Sequence, residues 1–327
     1  MKNLLKNIIP RRLRQWRMVY LTFGTDIKRY LTFLNYNFSS QDKYLGVIAM
    51  KYHVIEKGLT MPQTRFRFGK NHIFELCNII TEYHFKGYDI NQFEIQYASM
   101  VLNEYRNFHH DQQYELEPEI STVINKTVAI TNYSQSSTQL NFTSDSFFQS
   151  VNDQFPAFAQ SRHTVRNYSP EKIPIEELID AVRIAQNAPS SCNRQPVRAY
   201  IVTKDSAIKT ILNLQGGNGG FGHLATSLFV ITSNISLFQD VLERWQPTLN
   251  AGFFGMALLY ALHFKKIGCA TLNWSEDKRK DKKLRSFLNI PPNEHVHFLI
   301  CCGYLPDEFL VAASLRKDVK NICEIIT

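Results

Sequence analysis

The chain has 327 residues, of which 44% are hydrophobic and 20% charged, with 14 Gly and 12 Pro. That composition excludes collagen-like, low-complexity and wholly disordered chains, because there is ample apolar material for a packed core. The net charge of +8 is gathered at one end, where Lys2, Lys6, Arg11, Arg12, Arg14, Arg17, Lys28 and Arg29 are set against Asp26 alone in the first thirty residues.

In chain order, Lys2 to Arg17 intersperses Leu4, Leu5, Ile8, Ile9, Leu13 and Trp16 with cations. Such a segment suits an anionic membrane surface, an acidic partner or RNA bound by charge alone, and it suits equally a loosely held terminal helix. Residues 44–128 read as helices: Ile73, Leu76, Cys77 and Ile80 follow helical spacing and Gly87 offers a stop, and Phe93, Tyr97, Val101 and Tyr105 repeat the pattern. The segment 1–130 is therefore an expected helical accessory region, and the Ser/Thr/Asn/Gln-rich stretch 131–154 a linker.

From 155 to 327 helix and strand alternate. A helix is expected after Pro174, with Leu178, Val182 and Ala185 on its apolar face. Strands are expected at 198–203, 227–232, 269–273 and 296–302, with a helix over 207–214. Residues 250–266 are apolar nearly all round and stop at Gly268, the pattern of a buried helix. The six cysteines show no C-x-x-C pair or metal spacing and read as packing residues in a reducing compartment. No signal-peptide core is visible, and the longest apolar stretch, Ala251 to Leu262, falls short of the ~20 residues that span a bilayer. A cytoplasmic protein is expected.

Three segments carry chemistry. In Arg162-His163-Thr164-Val165-Arg166, helical spacing would put both guanidinium groups on one face beside a hydroxyl, a set that fits a phosphate monoester or a solvated basic face. Pro189-Ser190-Ser191-Cys192-Asn193-Arg194-Gln195-Pro196 places donors and acceptors along a proline-bounded loop, as a heteroaromatic ligand needs or as any polar turn does. Gly217 to Gly222 contains G-x-G-x-x-G, but a helix precedes it and a strand follows. This is the reverse of dinucleotide-binding order, so it is read as a flexible loop bordering a ligand. His53 to Leu59 is a polar cluster for a pocket rim or a helix end, and His109-His110-Asp111 reads as a polar loop without enough ligands for a metal.

Taken together, residues 155–327 resemble the nitroreductase superfamily of flavin enzymes. The elements occur in family order: R-H-[ST]-x-[KR] at Arg162 to Arg166, P-S-S-x-N-x-Q-P at Pro189 to Pro196, the long helix from Asn250-Ala251-Gly252 to Lys266-Ile267-Gly268, then Gly303-Tyr304 and the basic pair Arg316-Lys317. The resemblance implies an α+β fold with a mostly antiparallel sheet flanked by helices, and a homodimer with FMN between the subunits. It implies that Arg162, His163, Thr164 and Arg166 contact FMN, that Arg316 and Lys317 complete the phosphate site, and that Ser190, Ser191, Asn193 and Gln195 reach it from the partner's loop. It also places Asn218 at the flavin edge and the backbone of Thr271 to Trp274 near N5. NADH or NADPH is the implied hydride donor, in a ping-pong exchange with a nitroaromatic, quinone-like or specialised acceptor, with Arg166 as electrostatic support and no metal. Val197 stands where an aromatic residue is common, Thr164 keeps the hydroxyl of the usual Ser, and 216–222 lacks the basic residue of some members. A flavin-binding module without catalysis, recruited to a membrane or a protein by its basic end, is the rival reading.

Overall fold

The computed structural model describes residues 11–34, 38–61, 64–131, 137–139, 154–312, 316 and 318–327. The expected linker lies almost wholly outside them, as do residues 1–10 and Lys317.

The N-terminal half is helical. Helix α1 (Arg11–Phe33) begins directly after Pro10, followed by α2 (Gln41–Leu59), α3 (Lys70–Phe85), α4 (Phe93–Asp111) and α5 (Pro118–Val128). The residues that repeat every three or four positions form its core: Tyr44, Ile48, Tyr52 and Ile55 of α2 pack with Ile73, Leu76 and Ile80 of α3 and with Val101, Leu102 and Tyr105 of α4. Gly87, at φ 72°, ends α3 in the left-handed conformation that residues with a Cβ resist.

After α6 (Gln154–Ser161) come α7 (Ile175–Ala185), β1 (Val197–Val202), α8 (Asp205–Leu212), β2 (Ser227–Asn234), α9 (Gln246–Phe264), β3 (Gly268–Asn273), α10 (Lys278–Leu288) and β4 (Glu294–Gly303). The four strands make one antiparallel sheet in the order β1-β2-β4-β3. Alternate residues of the central strands serve opposite faces. Leu228, Val230, Leu299 and Cys301 pack with α8 and α10, whereas Phe229, Ile231, Ile300 and Cys302 pack with α7 and α9. The fold of this half is α+β.

Two features depart from the sequence reading. Helix α9 is not buried all round, since Leu249, Phe253 and Met256 form an exposed apolar stripe at i, i+4 and i+7. The halves also share a core: Ile235, Leu237 and Phe238, which follow β2, pack into the helical cluster and not onto the sheet.

Candidate functional site

The arginine segment is not helical. Helix α6 stops at Ser161, and 162–168 is irregular chain beside β3, where the Val165 N–H donates to the Cys269 carbonyl at 3.0 Å. Val165 and Tyr168 turn into the core, while Arg162 and Thr164 are half-buried and Arg166 is exposed. Tyr168 sews the segment to the sheet, its hydroxyl donating to the Val165 carbonyl at 2.7 Å and to the Cys301 carbonyl at 3.3 Å. A Cβ on Gly303 would lie 2.5 Å from the Tyr168 Cβ, so only glycine permits that contact.

Among the described residues neither Arg162 nor Arg166 pairs with a carboxylate. The Arg166 guanidinium lies 5.7 Å from the centre of the Phe221 ring, and it lines an open groove of about 760 Å³ with Asn167 and Asp307 to Leu310. Burial, with Arg162 and His163 nearby, holds the His263 imidazole of α9 below its ordinary range, and its Nε2 is 2.7 Å from the Ser161 hydroxyl.

The Pro189–Pro196 loop is held open by strain and bonding together. Cys192, Asn193 and Gln195 have φ of 52°, 51° and 46°, left-handed values that cost L-residues about 1–2 kcal/mol each. The Ser191 N–H donates to Asn250 Oδ1 at 2.9 Å, and the Ser191 hydroxyl donates to Gln246, tying the loop to the start of α9. Ser190 Oγ accepts from the Gln195 N–H at 3.1 Å. The side-chain amides of Asn193 and Gln195 have no partner among the described residues.

Arg194 was not singled out by the sequence reading, yet it is the anchor of this loop. Its side chain is 1% exposed. Nε donates to the Ser191 carbonyl at 3.0 Å, Nη1 to the Leu237 carbonyl at 3.2 Å, and both Nη1 and Nη2 donate to the Glu243 carboxylate. The guanidinium lies 4.4 Å from the centre of the Phe238 ring. These bonds hold the Glu243 carboxyl below its ordinary range against the opposing effect of burial.

Asn218 staples its own loop. Its amide nitrogen donates to the Leu212 and Gln215 carbonyls, both at 2.8 Å, which spends the donors expected at a ligand edge. Gln215 Nε2 donates to the Asn273 carbonyl at 3.1 Å, and the Gly216 N–H donates to Glu276 at 2.8 Å, so the glycine loop is fastened beyond the end of β3. His53 lies within α2, 3.0 Å from Glu56. His109 is no loop residue: it is buried near the end of α4, with Nδ1 2.8 Å from the Tyr105 carbonyl and Nε2 accepting from the Arg67 N–H at 3.0 Å, so both ring nitrogens are occupied. Arg316 is exposed, and Lys317 lies outside the described residues.

The arginine segment and the Ser190–Gln195 loop stand at opposite ends of the sheet. Val165 is bonded to Cys269, which pairs with Cys302 opposite Ser227. Pro196 accepts from Asn234, at the other end of the same strand. Seven strand steps separate Ser227 from Asn234, roughly 23 Å at ~3.3 Å per residue.

Residues 159–218 match the family model described as the Nitroreductase family. A protein of Archaeoglobus fulgidus, named by inference an NADH dehydrogenase/NAD(P)H nitroreductase, is 27% identical over 151 residues, 45% of this chain and 83% of its own. The iodotyrosine deiodinase of Thermotoga neapolitana is 41% identical over 51 residues, 16% of this chain and 27% of its own. Among solved structures, the FMN-dependent nitroreductase of Clostridium difficile R20291 aligns with a TM-score of 0.44 and 20% identity, over 52% of this chain and 98% of that one. A nitroreductase family protein of Streptococcus pneumoniae aligns with a TM-score of 0.45 and 21% identity, over 53% and 100%. The similarity of the C-terminal half to the nitroreductase family therefore rests on matched sequence as well as on the order of its motifs.

Proposed function

We propose that this chain is an FMN-dependent oxidoreductase that draws hydride from NADH or NADPH and delivers it to a small acceptor of nitroaromatic, quinone-like or more specialised type. The observation that carries the reading is the irregular 162–166 segment beside β3, which brings two arginines and a hydroxyl together with neither arginine ion-paired among the described residues. That donor set fits a phosphate monoester bonded by planar, multi-donor cations.

When bound, the flavin would supply the redox chemistry of a ping-pong exchange between the nicotinamide and the acceptor. The protein positions and polarises. Arg162 and Thr164, with His163 beside them, hold the phosphate and ribityl end, and Arg316 and Lys317 complete the phosphate site. Arg166 sets positive charge at the pyrimidine side, where the reduced ring is anionic. The backbone of Thr271 to Trp274 would border the reactive edge of the flavin. Asn218 serves by shaping the glycine loop, because its amide hydrogens are spent within it.

Ser190, Asn193 and Gln195 reach the ring from a second copy of the chain, with Ser191 holding the loop through Gln246 and Asn250. The ~23 Å between the loop's anchor and that of the arginine segment supports this division of labour, as does the exposed Leu249, Phe253 and Met256 stripe of α9, which a homodimer would cover. Helix α1, with its exposed apolar side chains and the cations of the first thirty residues, is assigned to peripheral contact with an anionic membrane surface.

The test is spectroscopic. Purified protein should absorb in the flavin bands and bleach on anaerobic addition of NADH or NADPH. Arg162→Ala combined with Arg166→Ala should lose the flavin while staying folded. Normal flavin occupancy in that variant would falsify the phosphate assignment, and bound flavin that neither nicotinamide reduces would make the chain a binding module.

A further inference from the structure

We propose that the N-terminal helices are part of the cofactor-loop machinery: Lys43 and Gly46 of α2 fix the backbone at Leu237–Phe238, which fixes Arg194 and thereby the left-handed conformation of the Ser190–Gln195 loop. The proposal rests on the reading of that loop as a flavin contact and assigns a role to a half of the chain outside the family match.

The chain of contacts is continuous. Arg194 sits between the strained residues and spans them, bonding back to the Ser191 carbonyl and out to the Leu237 carbonyl. Leu237 and Phe238 are not held by the sheet. Their side chains pack in the helical core, and their backbone is gripped by the first turns of α2. Lys43 Nζ donates to the Phe238 carbonyl at 2.8 Å. At Gly46 the helix comes so close that a Cβ would lie 2.4 Å from the Leu237 oxygen, the atom that accepts from Arg194. Asp42 closes the other end of the segment, accepting from Asn234 Nδ2 at 3.0 Å and Asn293 Nδ2 at 2.8 Å. Helix α2 also lies directly against the Ser191–Asn193 turn.

The residue types fit a positioning role better than mere filling. Lys43 is 3% exposed, and burial draws its ammonium down to about 8 while Glu243 pulls it back. A methionine would fill the same volume without that desolvation, so the lysine is explained by the carbonyl it fixes. Glu243, bonded to Arg194, also accepts from the Gln239 N–H at 3.0 Å, so one carboxylate clamps the loop's arginine to the segment α2 holds.

The experiment uses the full chain and two readouts: FMN dissociation constants from fluorescence titration, and amide exchange across 190–195 compared with β2 and β4. Lys43→Met and Gly46→Ala should each raise the FMN dissociation constant tenfold or more and speed exchange at Asn193, Arg194 and Gln195. Exchange in β2 and β4 should stay at the wild-type rate, a pattern that general destabilisation does not produce. A folded Lys43→Met protein with wild-type affinity and wild-type loop exchange overturns the proposal. If Lys43→Met does not fold, Lys43→Gln, with a donor of shorter reach, is judged by the same two outcomes. Wild-type protein that binds no FMN would defeat the functional reading alone, because the exchange comparison needs no ligand.

Discussion

His295 and His297 on β4 show how burial sets a charge state. Their rings are 4.8 Å apart, Arg29 Nη1 of α1 is 2.9 Å from His295 Nδ1, and Ser233 Oγ is 2.6 Å from His297 Nε2. Burial draws His295 down to about 4, helped by Arg29 and Arg285 and opposed by Asp281, and holds His297 well below its ordinary range. Between the unfolded value near 6.5 and the folded value, the unfolded chain binds more protons, so stability falls as the pH falls through that window. One such imidazole contributes a slope of about 1.4 kcal/mol per pH unit. Urea midpoints measured from pH 7 to 4 should drop for the wild-type chain and drop less steeply for His295→Asn; parallel curves would sink this account. Arg194 makes a different point about single residues. Its partners Leu237 and Glu243 are 43 and 49 positions away, so nothing local marked it as an anchor, whereas Ser190, Asn193 and Gln195 were legible from their polar types within a proline-bounded loop.

Periodicity located most elements, and it failed at 162–166: the i, i+4 arginine spacing suits a helix face, yet the chain there is irregular and tied to β3 through the Val165 N–H. The four strands and the helix over 205–212 were visible because apolar runs or faces lie between turn residues. Helix α9 misled because an exposed apolar stripe has the same composition as a core. In α1, Leu13, Trp16, Tyr20, Phe23, Ile27 and Leu31 are all exposed at spacings of three or four, while Arg29 bonds the opposite side to His295 and Tyr30, beside the seam, bonds the Arg244 carbonyl. A narrow apolar seam on a cationic segment is the form of a helix lying in a membrane interface. Replacing Trp16 and Phe23 with Ser should reduce co-sedimentation with phosphatidylglycerol vesicles severalfold. Phosphatidylcholine vesicles should bind neither protein, and unchanged binding by the variant would remove the assignment.

For the whole molecule the decisive dimension is the length of the sheet. The two groups of proposed flavin contacts lie at its opposite ends, so the proposed function calls for a second copy of the chain. Phe253→Glu in the α9 stripe should shift sedimentation equilibrium from dimer to monomer and release flavin together; a monomeric variant that keeps its flavin would show that the site is complete within one chain. No helix among the described residues is long and apolar enough to cross a membrane. How the halves dock was not legible in the sequence, because Ile235, Leu237 and Phe238 fall in a short stretch to which no pattern assigns an element or a partner.

The shared core sets a rule for anyone shortening this protein. Severing it within the polar stretch between the halves would strip the greasy cover from Ile235, Leu237 and Phe238, leaving a sticky wound on the very piece meant to be kept. A trimmed version would need polar replacements at those three positions before it could stay in solution.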